Sequence, residues 1–292
     1  MNPTRFFTFN IALASLLFAA GSNLHAETTE EEFKALAWDK SHAGTPLDLG
    51  KYKQTFRDEF KTLSVTPDGG AGPWYAPIHS TFGVGTFLPP SQTGPFLTGP
   101  EGMTIRALKT NGKWSTGSMQ TVDKKGHGFA QQYGYFEASI KFPPGKGGWP
   151  AFWLLSQNGF FDRRAVRTEI DVVEWYGGDP KGHHASVHLW PAAEHSAEQI
   201  QKHLGRSNYY NMKSLLTDGQ LPGFHTYGAE VNPDWVIIYF DKKEIARFKT
   251  LPEFKTPLYM VVDLAIFKKE ADQAESPKDM IIQYVAAYAP KN

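Results

Sequence analysis

An all-β sandwich or barrel is the fold class this chain predicts, on three observations. From Tyr52 onward, short apolar runs are broken by Gly, Pro, Asn and Asp, the punctuation of strands and turns. The stretch Tyr135–Phe142 alternates cleanly, with Phe136, Ala138, Ile140 and Phe142 on one face and Glu137, Ser139 and Lys141 on the other. No internal repeat or interdomain linker interrupts the 292 residues, so one large β-domain accounts for most of the chain.

In chain order, residues 1–26 come first. A single Arg5, an apolar run and the small Ala26 form a secretory leader pattern. The run is shorter than the ~20 residues a spanning helix needs, and no later segment is apolar enough to span. The expectation is a secreted or periplasmic protein without a membrane span after leader removal. Residues 27–51 form an N-terminal extension, and Glu27–Ala37 predicts a short helix capped by Thr28 or Thr29. Residues 52–292 are expected to form a single domain.

Within that domain the strand candidates are Gly102–Lys109, Gly134–Phe142, Ala151–Leu155, Glu169–Trp175 and His184–Trp190, followed by His225–Val231, Trp235–Phe240, Glu244–Lys249, Leu258–Ala265 and Met280–Tyr288. Asn232-Pro233-Asp234 and Asp241-Lys242-Lys243 read as turns. Pro67–Pro100 reads as loop, Ala193–Gly219 as an insertion with a helix at Ser196–Leu204, and Lys268–Lys278 as a charged, solvated segment.

Composition narrows the function. Basic and acidic residues number 30 each, which argues against a nucleic-acid or membrane-surface partner attracted by net charge. Without Cys, a secreted chain rests on its core rather than on disulfides. The 8 Trp and 12 Tyr suit a surface that stacks on the apolar faces of sugar rings.

The stretch TEIDVVEW places Glu169, Asp171 and Glu174 in a strand-like segment. Strict alternation would put Glu174 in the core. One extra residue, a β-bulge at Val172 and Val173, turns all three acids to one face and leaves Ile170 and Trp175 inside. Converging carboxylates raise at least one pKa, the condition for pairing a protonated acid with an ionised partner. Four strand steps span roughly 13 Å at ~3.3 Å each, and two inward-leaning Glu side chains bring the carboxyls to about 5 Å. That separation belongs to retaining glycoside hydrolysis. A solvated acidic face and a calcium site are the competing interpretations, although calcium loops usually supply carbonyls.

The segment EIDVVEWYG resembles the active-site signature of glycoside hydrolase family 16 in its bulged form E-x-D-x-x-E, of the laminarinase and exopolysaccharide-glycanase type. FRDEF at Phe56–Phe60, KWSTG at Lys113–Gly117, YGYFEASIKFPPGKGGWPAFWLL at Tyr133–Leu155, HASVHLW at His184–Trp190, FHTYGAE at Phe224–Glu230 and WVIIYFD at Trp235–Asp241 agree in order. The resemblance implies a β-jelly-roll sandwich of two antiparallel sheets with a concave substrate cleft. It also implies Glu169 as nucleophile, Asp171 as its helper and Glu174 as acid then base. His188 matches a family histidine near the acid/base. Trp149 resembles a cleft-wall residue, Trp175 is a sugar-stacking candidate, and Trp114 resembles a position bordering the cleft.

Departures are also present. Asp263-Leu264-Ala265-Ile266-Phe267 lacks the glycines of the family's N-L-A-x-G-G, and Ser139 stands where members often carry Arg. Gln283 replaces the calcium-binding Asp of D-Y-V-R-V-Y, so no cofactor and no metal is expected. His184 and His188 share a face, but zinc needs further ligands. The expected function is a secreted retaining endo-β-glycosidase acting as a monomer on a β-glucan or bacterial exopolysaccharide. A non-catalytic carbohydrate-binding protein and a transglycosylase are the alternatives.

Overall fold

The computed structural model describes residues 28–67, 70–78, 80–194, 203–211 and 223–291. The expected leader at residues 1–26 lies outside them. The strands run β1 (Tyr52–Asp58), β2 (Val65–Pro67), β3 (Trp74–Ala76), β4 (Thr86–Phe87), β5 (Phe96–Gly99), β6 (Gly102–Thr110), β7 (Lys113–Thr116), β8 (Ser118–Gln120) and β9 (Gly134–Lys141). They continue with β10 (Gly148–Ser156), β11 (Arg167–Glu174), β12 (Gly182–Trp190), β13 (Leu204–Asn211), β14 (His225–Val231), β15 (Trp235–Phe240), β16 (Lys243–Lys249), β17 (Leu258–Ile266) and β18 (Lys278–Pro290).

Alternation closes these strands into two packed sheets. The back sheet has the order β16-β15-β14-β9-β18-β6-β7-β4, with β1 on β18 and β5 on β6. The front sheet has the order β13-β12-β11-β10-β17-β8-β3-β2. Nearly all pairs are antiparallel, but β2–β3 and β4–β7 are parallel. The two sheets are therefore mixed at their margins, a correction to the purely antiparallel expectation. Between them lies one core holding Phe136, Ala138 and Ile140 from β9 and Phe152, Leu154, Ile170, Val172 and Val173 from β10 and β11. Each of the buried Phe, Leu, Ile and Val side chains contributes about 1.5–3 kcal/mol relative to exposure.

Several elements outside the predicted strands belong to the sandwich. Helix α1 (Glu30–Ala35) is closed by a capping box in which Thr29 and Glu32 bond each other's backbone N–H. Its Phe33 is buried in the main core, and Asp39 bridges Arg247 through the backbone. The N-terminal extension is thus packed onto the domain. The insertion's predicted helix lies largely outside the described residues, and Leu204 instead opens strand β13. Lys278, expected to be solvated, is 4% exposed. Its Nζ donates to the carbonyls of Pro144 and Gly145, pinning the loop that leads into β10. No helix among the described residues is long and apolar enough to cross a membrane.

Candidate active site

The site is built on the front sheet by one irregularity. Along β11 and β12 the partners are Glu169↔His188, Ile170↔Val187 and Asp171↔Ser186, and then Glu174↔His184. Three steps on β11 thus oppose two on β12. The same shift appears against β10, where Phe152 pairs with Val173 and Trp153 with Asp171. Both valines are fully buried in the central core, as is Ile170. Glu169, Asp171 and Glu174 emerge together in a hollow of about 310 Å³, with Trp149, Trp153, His188, Trp190 and Asp263 among its walls.

Each acid has different company. Glu169 accepts the Trp190 indole N–H at 2.9 Å and lies 3.9 Å from His188 Nε2. Asp171, 5% exposed, meets His188 Nε2 at 3.0 Å. Glu174 accepts from Trp149 Nε1 and Tyr176 Oη at 3.2 Å on one oxygen, and from Ser186 Oγ at 3.0 Å on the other. Burial and the Glu174 carboxylate raise the Tyr176 hydroxyl pKa, so it remains a donor.

A fourth carboxyl shares the hollow. Asp263 is fully buried, accepts the Trp153 indole N–H at 2.8 Å and leaves Oδ2 without a partner. Ala151 pairs with Asp263 on one side and Glu174 on the other, so these two acids face across a single methyl group. Burial and neighbouring acids dominate the titration of the cluster. Burial, then Asp171, pushes Glu169 up to about 8. Burial, then Glu174 and Asp263, raises Asp171 well above the usual carboxylate range. Burial first, with Glu174 and Glu169 adding to it, does the same to Asp263. Four crowded carboxyls cannot all ionise, and their protons belong to the group as a whole.

The groove continues on both sides. Past Glu169 it is walled by Ile78, Leu155, Phe160, Arg167 and Tyr259. Past Glu174 it runs along Tyr176, Asp179, His184, Phe267 and Glu270. Trp149 stacks on Tyr176 at 5.5 Å and meets Phe267 edge-on at 6.0 Å. The segment that lacks the family glycines thus places an aromatic ring in the cleft wall.

The structure redistributes the candidates drawn from the sequence. Trp149 and His188 reach the hollow, but His188 bonds Asp171 and faces Glu169 rather than Glu174. Trp175 is 4% exposed and stacks on Phe142 at 5.4 Å, inside the sandwich. Trp114 is buried in the core and borders a separate hollow with Lys109 and Lys113. Neither lies in the hollow that holds the acids. Trp153, four residues after Trp149 and so on the same strand face, reaches the hollow with it, whereas Trp190, Ser186, Tyr176, Asp263 and His203 were not anticipated. Period-two alternation from His184 carries the signal for Ser186 and Trp190. One ligand atom each from Glu169, Asp171 and His188 lie within 4.8 Å of one another, a set short of the four ligands of structural zinc. His184 stands apart from it, with Nδ1 3.2 Å from Ser207 Oγ.

Comparison with known proteins adds independent findings. The model of the family described as "Glycosyl hydrolases family 16" matches residues 97–286. The chain is 32% identical over 280 residues to endo-1,3-1,4-beta-glycanase EglC of Rhizobium meliloti (strain 1021), covering 86% of this chain and 55% of that protein. It is 30% identical over 301 residues to endo-1,3-1,4-beta-glycanase ExsH of the same organism, covering 94% and 59%. The chain therefore spans somewhat more than half the length of these curated relatives. Its fold matches the crystal structure of SCLam, a non-specific endo-beta-1,3(4)-glucanase, with TM-score 0.66 and 20% identity over 87% of this chain and 97% of that one.

Proposed function

The chain belongs to glycosyl hydrolases family 16, and from that premise we propose that it is a secreted or periplasmic endo-β-glycanase that hydrolyses internal linkages of a β-glucan with retention. The observation that carries this reading is the bulge at Val172 and Val173, which delivers Glu169, Asp171 and Glu174 to one hollow. A groove open on both sides of the acids suits attack within a chain rather than at its end. The likeness to the two Rhizobium endo-1,3-1,4-beta-glycanases supports a substrate with β-1,3 and β-1,4 bonds.

In this mechanism a carboxylate of Glu169, steadied by the Trp190 N–H, attacks the anomeric carbon. The glycosidic C–O bond breaks as Glu174 gives its proton to the leaving oxygen, and a sugar–Glu169 ester forms. Glu174 then takes a proton from water, whose oxygen displaces Glu169. The first step needs Glu169 ionised beside a protonated carboxyl. The crowded cluster holds a proton at neutral pH, with Glu169 itself pushed up to about 8, so attack requires the shared proton to sit away from Glu169. Esterification removes one negative charge from the cluster, which lowers the proton affinity of the remaining acids and prepares Glu174 to act as base.

One observation favours exchanged roles. Glu174 receives three donors and Glu169 one, and Glu169 is the acid that burial and Asp171 push up to about 8. On that alternative Glu174 is the nucleophile and Glu169 the acid. Both assignments require glycan cleavage with retention. Incubation with mixed-linkage glucan, β-1,3-glucan and β-galactan, scored by product size and by the anomer first released, tests them together. Oligosaccharides of the β-anomer are expected from a glucan. Polysaccharide binding without any reducing-end release, unchanged in Glu169→Ala, identifies a non-catalytic binding protein instead.

A further inference from the structure

We propose that His203 is a positioning residue for the acid cluster: stacked on Trp190 and hydrogen-bonded to His188, it fixes which nitrogen of His188 faces Asp171. This deepens the retaining-hydrolase reading above and rests on it.

His203 enters strand β13 from the front-sheet edge and reaches back over β12. Its ring lies 3.8 Å from that of Trp190, centroid to centroid, with the planes 8° apart. Its Nε2 is 2.9 Å from His188 Nδ1. Two imidazole nitrogens at that distance need one proton between them, so one ring donates and the other accepts. Burial and the neighbouring His188 favour a neutral His203, which can donate or accept through Nε2. The acceptor's part falls to it in the proposed arrangement, in which His188 Nδ1 donates and Nε2 is left to Asp171. His188 therefore carries hydrogen on Nδ1. Its Nε2, 3.0 Å from Asp171 Oδ2, then shares a single proton with Asp171. Imidazolium with carboxylate and imidazole with carboxylic acid are the two forms of that pair.

The backbone is arranged to admit this contact. Gly205 stands opposite His188 in the β12–β13 register. A Cβ at Gly205 would lie 2.6 Å from His188 Nδ1 and 3.5 Å from His203 Cε1. Only a bare position lets the two rings meet over the strand. The same His203 ring covers Trp190, the donor to Glu169, so one side chain braces the neighbours of two acids. The titratable groups facing His188 are Glu169 and Asp171 from β11 and His203 itself. Glu174 from β11 and Asp263 from β17 share its hollow, and His184 lies along its own strand. His203 faces His188 and the uncharged Trp190.

The test compares His203→Phe, which keeps a flat ring on Trp190 but removes the hydrogen bond, with His203→Gln, which restores an acceptor. Two readouts are needed: imidazole nitrogen chemical shifts of His188, and the pH profile of kcat and KM on a β-glucan. For His203→Phe the expected result is a kcat lower by about tenfold, the loss of one hydrogen bond. KM stays within about twofold, the profile moves by roughly half a pH unit or more, and the Nδ1–H signature of His188 is lost. His203→Gln recovers most of each, and Gly205→Ala reproduces the defect. A His203→Phe protein that melts earlier but keeps the wild-type profile, kcat and His188 shifts overturns the proposal. If the wild type cleaves no glycan, the functional reading fails, while the nitrogen shifts still decide the His203–His188 contact.

Discussion

Two glutamates on opposite outer faces of the sandwich, Glu137 fully buried and Glu169 half-buried, are treated in opposite ways. On the back sheet, Glu137 is 0% exposed, yet it accepts hydroxyls from Tyr135, Tyr284 and Tyr288 at 3.0, 3.2 and 3.3 Å, with Lys242 Nζ 3.7 Å away. Burial and Glu137 push the Tyr284 hydroxyl up to about 12, so it stays a donor throughout the physiological range. On the front sheet, Glu169 has one indole donor and shares its hollow with three other carboxyls, and Asp263 leaves an oxygen unpaired. The back cluster satisfies its charge and is braced by it. The front cluster leaves charge and proton demand unmet, which is what a site needs if a substrate is to complete it.

If that contrast holds, the two glutamates dissociate activity from stability. Glu169→Gln and Glu174→Gln are each expected to lower kcat on a β-glucan by about 10³-fold or more while the protein still folds, checked by reducing-end assay and thermal melting. Glu137→Ala should do the reverse. It removes the acceptor of one buried and two half-buried hydroxyls and is expected to lose about 3 kcal/mol of stability in denaturant unfolding, with KM unchanged. An inactive but undiminished Glu137→Ala protein breaks the comparison.

The front cluster also predicts a pH-dependent penalty. The folded pKa of Glu169 is raised from 4.5 to about 8, so the native state binds the proton more tightly than the unfolded chain. Its contribution is favourable below about 4.5 and is lost as pH rises through about 8. Glu169→Gln should therefore melt later than wild type at pH 8, by on the order of 2 kcal/mol, about half of what the full displacement would give because the cluster shares its protons, and with wild type at pH 4. A gain that is larger at pH 4 than at pH 8 contradicts the assignment. The smallest effect separates cleft from core among the tryptophans. Trp149→Phe loses a donor to Glu174 and should raise KM several-fold, whereas Trp175→Phe, within the sandwich, should shift only the melting temperature, by a few degrees.

How much of this was legible in the chain follows from the range of each signal. The bulge was, because an acid five residues after Glu169 breaks a period of two within one strand. Trp149 and Trp153 share a face for the same local reason. The ten predicted strands match β6, β9–β12 and β14–β18 to within a few residues, since alternation is also local. Strands β1–β5, β7, β8 and β13 were missed, with β3–β5 inside the stretch read as loop, because most of these are too brief to show a period. The bulge put Trp175 inside, where it lies. Position beside a motif offered it, like Trp114, to the sugar, and that position alone carries no mark of which sheet face a side chain takes. His203 and Asp263 depend on which strands become neighbours. Asp263 meets Glu174 only through β10, and His203 meets His188 only because β13 pairs with β12. An acid inside the otherwise apolar run LYMVVDLAI was the one hint of Asp263. Lys278 read as solvated because its carbonyl partners lie in a loop more than a hundred residues earlier.

The central claim is that Glu169 becomes covalently joined to the sugar while Glu174 handles the proton. Incubation with a 2-deoxy-2-fluoro β-glucosyl oligosaccharide bearing a good leaving group slows the second step and lets the ester accumulate. Mass spectrometry of the digested protein is expected to find the added sugar on the peptide carrying Glu169, absent in Glu169→Gln. The same label on Glu174 would reverse the two roles. Turnover through the α-anomer, with no labelled peptide at all, would contradict the retaining mechanism itself.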